Sequence, residues 1–63
     1  MTINEAYELL REKKGTYGAV AEYLGMTRDH YCALRHGRRP LPKRTEEYII
    51  LKAKQAAKEK ANA

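Results

Sequence analysis

The side chains best suited to chemistry lie together in one short segment of the chain. His30, Cys32 and His36 offer two imidazoles and a thiol within two turns of a helix. A structural zinc ion needs four ligands, and the chain has no other Cys or His. A thiolate beside an imidazole is also a nucleophile, but a small helical domain gives it no substrate pocket. We therefore expect no metal, no cofactor and no enzymatic activity.

The same segment carries the excess positive charge. The chain has 13 Lys and Arg against 8 Asp and Glu, a net charge of +5. Positions 27–44, called the basic block below, hold six cations against Asp29 alone, so 6 − 1 gives +5 and the remainder sums to zero. The six cations are Arg28, Arg35, Arg38, Arg39, Lys43 and Arg44. Charge concentrated in this way favours an acidic partner, most commonly nucleic acid, over a basic surface with no partner.

Length and composition exclude other classes of protein. A chain of 63 residues makes one small domain with a compact core, too small for a large enzyme cleft. It has no Ser, so no serine nucleophile, and its single Cys excludes an intramolecular disulfide and suits a reducing compartment. No apolar run approaches the roughly 20 residues of a membrane span, and the first residues are unlike a signal peptide. We expect a cytoplasmic protein.

Capping signals predict a first helix at about residues 3–14. Thr2 and Glu5 match the capping box, in which each side chain satisfies a backbone N–H at the helix start. Gly15 supplies the stop. The inward face follows helical spacing and comprises Ile3, Ala6, Tyr7 and Leu10.

Two short helices should follow, joined by a turn of about three residues. Thr16 can cap the first, which ends at Gly25, and Thr27 can cap the second, which ends at Gly37. Their inward side chains are Val20, Ala21 and Leu24 on the first and Tyr31 and Leu34 on the second. The outward side chains of the second are Asp29, Cys32, Ala33 and His36.

The last predicted helix spans about residues 43–60. Pro40 and Pro42 keep the preceding segment out of a helix. The side chains expected to cover the core are Ile49, Ile50, Ala53, Ala56 and Ala57. Tyr48 and Leu51 lie on the other side, where they form a dimer interface or pack under the proline-rich connector. The sequence thus predicts an all-α bundle of about four helices forming one domain, residues 1–63.

The middle third of the chain matches a known pattern. Ala21 is small enough for two helices to cross closely, and Gly25 opens the turn four positions later. Apolar anchors follow at Met26, Tyr31 and Leu34, and then Gly37, basic residues and Pro40. Residues 17–40 in this way resemble the helix-turn-helix of the phage Cro and CI repressor family, apart from Tyr31, where a branched aliphatic is usual.

The resemblance implies a lambda repressor-like DNA-binding domain with helix 27–36 in the major groove. The protein would then be a phage or prophage repressor that binds an operator in double-stranded DNA. If it is a homodimer, the operator is expected to be palindromic. We expect neither a small-molecule ligand nor a membrane as a partner. By resemblance, Arg28, Asp29 and Ala33 occupy the base-reading positions, with Thr27 and Cys32 beside them. An Arg in the first turn can donate two hydrogen bonds to the two acceptors of guanine, and a carboxylate can accept a hydrogen bond from the amino group of cytosine.

Phosphate contacts are expected from the residues around that helix. The start of the second helix offers backbone N–H groups, a hydroxyl and a phenol, and basic side chains lie beyond the third. The expected residues are Thr16, Tyr17, Arg35, His36, Arg38, Arg39, Lys43 and Arg44. Lys43 and Arg44 lie at a helix start, where positive charges interact unfavourably with the helix dipole. Either a bound phosphate or the neighbouring Glu46 and Glu47 would offset this unfavourable interaction.

Other functions share these features. A CII-like activator would need an acidic patch, which Glu5, Glu8 and Glu12 can supply. An excisionase-like architectural protein would use the same basic block to bend DNA. A helical protein-interaction module, such as an antirepressor or antitoxin, would tolerate charge-neutral changes at Arg28 and Asp29, whereas base reading would not.

Overall fold

The fold of this chain is all-α. A computed structural model describes residues 1–60, and within that range there are four helices and no strand. The helices are α1 (Ile3–Lys14), α2 (Tyr17–Leu24), α3 (Arg28–Arg35) and α4 (Lys43–Lys60). Their order and bounds confirm the four predicted helices. None of the helices in this range is long and apolar enough to cross a membrane.

Threonines begin the first three helices, as predicted. Thr2 and Glu5 form the complete capping box of α1, in which the Thr2 backbone N–H donates to the Glu5 carboxylate at 2.7 Å. These hydrogen bonds from the Thr2 backbone and side chain lower the pKa of Glu5. Thr16 and Thr27 each accept a backbone N–H at 3.1 Å, so α2 and α3 begin where the cap satisfies an otherwise unpaired donor.

A tight turn joins α2 to α3. Gly25 adopts a left-handed conformation with φ of 79°, which a side chain would disfavour. Its N–H donates to the carbonyl of Glu22 at 3.1 Å, and the N–H of Met26 donates to that of Ala21 at 2.9 Å. These two hydrogen bonds cap the C-terminus of α2, and the turn to α3 takes three residues, 25–27.

The core lies between α1, α2, α3 and the inner face of α4. Its buried residues are Ala6, Tyr7, Leu10, Val20, Ala21, Leu24, Tyr31, Leu34, Ile49, Ala53 and Ala56. The predicted inward residues of α1, α2 and α3 are therefore buried, except that Ile3 is only half-buried. On α4, Ile50 is half-buried and Ala57 is exposed, so the prediction that Ala57 covers the core was wrong. Among the described side chains of α4, Ala56 is the last buried one.

The outward face of α4 carries two large side chains. Tyr48 is 40% exposed and Leu51 is 53% exposed, so the connector before α4 leaves both accessible. The Tyr48 hydroxyl nevertheless donates to the backbone carbonyl of Leu24 at 2.9 Å. Tyr48 therefore ties α4 to the end of α2, and Leu51 is the more open of the two.

Candidate nucleic-acid interface

The beginnings of α2 and α3 lie side by side. A Cβ placed on Gly18 would stand 3.9 Å from Cδ of Arg28 and 4.0 Å from the hydroxyl oxygen of Thr16. The stem of Arg28 therefore crosses the first turn of α2. The predicted base-reading arginine and the predicted phosphate-binding helix start thus belong to one continuous surface.

The five predicted base-reading residues differ in exposure. Arg28 and Asp29 are exposed, and within residues 1–60 they form no ion pair with each other. Thr27 is exposed, and its hydroxyl oxygen already accepts the capping bond from the His30 N–H. Ala33 and Cys32 were both predicted to point outward, but both are half-buried, and Cys32 packs against the core. Its thiol is therefore less accessible than the helical projection indicated.

A shallow depression lies along one side of α3. It is lined by Met26, Thr27, Asp29, His30, Ala33 and Arg39. Arg39 reaches it because the chain folds back after α3, where the Arg39 N–H donates to the carbonyl of Ala33 at 3.3 Å. His30, in the first turn of α3, was not among the predicted base-reading residues, yet it lines the same depression as Thr27, Asp29 and Ala33.

Most of the predicted phosphate-binding side chains surround this surface and are open to solvent. Thr16 and the last residues of the basic block are all exposed, the latter being His36, Arg38, Arg39, Lys43 and Arg44. Among the residues described, none of these four Lys and Arg side chains has an ion-pair partner. Among the described residues, neither Glu46 nor Glu47 forms an ion pair with Lys43 or Arg44, although all four lie in the first turns of α4.

Arg35 departs from the predicted set because its guanidinium turns inward. Nη1 donates to the Tyr31 hydroxyl at 3.2 Å and to the Tyr7 carbonyl at 3.4 Å, and Nη2 donates to Glu8 at 2.9 Å. Only 15% of the Arg35 side chain is exposed. Burial disfavours the charged guanidinium, but the Tyr31 hydrogen bond and the nearby Glu8 outweigh it and raise the pKa of Arg35. Arg35 therefore fastens α3 onto α1, and its guanidinium is not presented to solvent as the predicted phosphate contact requires.

Tyr17 shares this structural role. Its half-buried ring packs edge-on against Tyr31, with centroids 6.0 Å apart, and against His36 at 6.4 Å. The Arg35 guanidinium lies 4.9 Å from the centroid of the Tyr17 ring, which suits a cation–π contact. The ring of Tyr17 therefore holds the start of α2 against α3, where the sequence predicted a phosphate contact.

The described residues contain no cluster of three or more His, Cys, Asp or Glu that could hold a metal ion.

In comparisons with known proteins, no family model matches the chain, and no curated protein or solved structure is significantly similar to it. The surface around α3 combines an exposed acceptor and donor in the first turn of the helix, Asp29 and Arg28, with exposed cations that follow the helix in the chain.

Proposed function

We propose that the protein is a sequence-specific regulator that binds double-stranded DNA with α3 in the major groove, as a Cro-like repressor does. The observation that carries this proposal is the distribution of charge. With Arg35 paired to Glu8, the basic block retains five cations against Asp29, a surplus of +4 (5 − 1). Phosphates flank the major groove on both sides. The exposed cations that follow α3 in the chain, Arg38, Arg39, Lys43 and Arg44, would contact them.

The groups at the first turn of α3 suit base reading. Arg28 presents a forked guanidinium that matches the two acceptors of guanine, and Asp29 presents an acceptor for an amino group. Asp29 also opposes phosphate binding, so its position favours discrimination between sequences over general affinity. No reaction is required, because a repressor of this kind acts by occupying its site in the cytoplasm.

An exposed Leu51 beside Tyr48 supports a homodimer on a palindromic site. Two copies would place their α3 helices in successive major grooves, with half-sites about 34 Å apart. A monomer would instead select a single, asymmetric half-site.

The test is selection from a randomised duplex library, followed by sequencing, at two salt concentrations. We expect one motif, affinity that falls steeply with salt, and a palindrome if two copies bind. Arg28→Ala should lose discrimination at one base pair by about 5- to 150-fold, the equivalent of about 1–3 kcal/mol. Lys54→Ala is the matched control, because it removes an equal charge from the exposed surface of α4 outside the basic block.

Weak binding without a motif in the parent protein would refute the proposal. It would favour the protein-interaction module. That alternative predicts that charge-neutral changes at Arg28 and Asp29 have no effect on function.

A further inference from the structure

Both histidines of the chain lie on the surface around α3. His30 and His36 are exposed, and within the described range neither imidazole ring has a hydrogen bond or an ion pair. Imidazole is the side chain whose charge changes between about pH 5 and pH 8. The positive charge of this surface therefore depends on pH in a range where its Lys and Arg side chains stay charged.

The two histidines have different surroundings. His36 follows α3, and its ring packs edge-on against the ring of Tyr17 at the start of α2, with centroids 6.4 Å apart. A helix start and nearby cations are the groups that contact DNA phosphates. His30 instead lines the depression together with Asp29, whose carboxylate repels phosphate. Of the two rings, His36 is therefore the one placed to meet the DNA backbone.

The charged groups near His36 are mostly cations. Those on the elements that meet at its contact with Tyr17 are Arg11 and Glu8 of α1, Arg35 of α3, and Arg38 just after it. The carboxylate of Glu8 already pairs with Arg35 at 2.9 Å. Since no carboxylate in the described part of the chain pairs with His36, a bound phosphate is the group that would complement its positive charge.

We propose that His36 takes up a proton when the protein binds DNA, so that affinity for DNA increases as pH falls from about 8 to about 5.5. This inference rests on the proposed function and adds a pH-dependent phosphate contact to it. The sign follows from linkage, because phosphate oxygens stabilise the imidazolium over the neutral ring and the complex then binds more protons than its separate components. The protonated ring donates a charge-assisted hydrogen bond, which is stronger than a neutral one.

The experiment measures affinity for the selected duplex at about pH 5.5 and about pH 8, each at two salt concentrations. We expect the parent protein to bind about fivefold more tightly at the lower pH, the upper end for an exposed ion pair. The slope of log affinity against log salt should also be steeper at the lower pH by about 0.9, the value for one further phosphate contact.

Two substitutions fix the charge at position 36. His36→Gln can form a hydrogen bond but carries no charge, so both pH effects should disappear and affinity should stay at the parent's value for the higher pH. His36→Lys is charged at both pH values, so its affinity should be the same at both and equal to the parent's value for the lower pH.

His30→Gln is the matched control, because it makes the same substitution at the other exposed histidine of this surface. It should retain the parent's ratio of affinities at the two pH values, whatever its effect on affinity itself. Circular dichroism at both pH values establishes that each variant folds.

Three results would overturn the inference. If the parent selects a motif but binds it equally well at both pH values, no proton is taken up, although the proposed function stands. If His36→Gln keeps the pH effect, the proton is bound elsewhere, and its loss in His30→Gln would assign it to His30. If the parent selects no motif, both the inference and the proposed function fail.

Discussion

Replacing Tyr7 with Phe should stabilise the protein. Tyr7 is 4% exposed, and its hydroxyl is the buried side-chain polar atom without a hydrogen-bond partner in the part of the chain that the structure describes. Tyr31 is fully buried as well, but its hydroxyl accepts from Arg35 at 3.2 Å. The rings lie edge to face, 5.8 Å apart, so the two tyrosines form a matched pair that differs in hydrogen bonding.

The expected magnitudes follow from that difference. An unsatisfied buried hydroxyl costs about 1–3 kcal/mol. Its removal forfeits a few dispersion contacts of about 0.1–0.2 kcal/mol each, so Tyr7→Phe should gain about 1 kcal/mol. Tyr31→Phe removes the acceptor of a charged donor and should lose about 1–2 kcal/mol. For a domain of this size, 1 kcal/mol shifts the Tm by about 4–8 °C.

The stability of both variants is measured by urea and thermal unfolding at neutral pH, monitored by circular dichroism. The urea midpoints should move in opposite directions while the m-value stays constant.

Alkaline pH provides a second comparison. Burial raises the pKa of Tyr7 above its usual value of 10.0, so above that pH the hydroxyl ionises more readily in the unfolded chain than in the folded one, and the parent loses stability as pH rises. The advantage of Tyr7→Phe over the parent should therefore grow above about pH 10.

A Tyr7→Phe variant that loses as much stability as Tyr31→Phe would refute this reasoning. It would mean that the Tyr7 hydroxyl has a partner in solution and that its burial carries no penalty.

Three other changes test the two ends of α2 and the basic block. Gly18→Ala should stabilise α2 by about 0.5–1 kcal/mol, because the new Cβ meets its neighbours at ordinary distances of 3.9 and 4.0 Å. Gly25→Ala should instead destabilise by about 1–2 kcal/mol, since φ there is +79°, and equal effects in the two unfolding curves would contradict this account. Replacing Lys43 and Arg44 together by Gln should lower the slope of log affinity against log salt by about 1.8 if both contact phosphate. An unchanged slope would exclude them from the interface.

The helices were predictable because their signals are local. The cap bonds of Thr2, Thr16 and Thr27 each join atoms only three positions apart, so the sequence contains both partners side by side. Arg35 could not be predicted in the same way. Its partners on α1 lie 27 and 28 positions earlier and are brought together only by packing. The half-burial of Cys32 likewise depends on neighbouring elements, which a helical projection of α3 alone omits.

The pattern of paired and unpaired charges favours DNA over a protein partner. Arg35, which is only 15% exposed, pairs with the carboxylate of Glu8, whereas Arg38, Arg39 and the cations at the start of α4 have no ion pair among the described residues. Unpaired cations so close in sequence repel one another in the free protein. A phosphate backbone would relieve this repulsion at several of them at once, because its charges recur at every nucleotide. An acidic protein would relieve it only where its own carboxylates lie, and it would gain nothing from Asp29 at the centre of the surface.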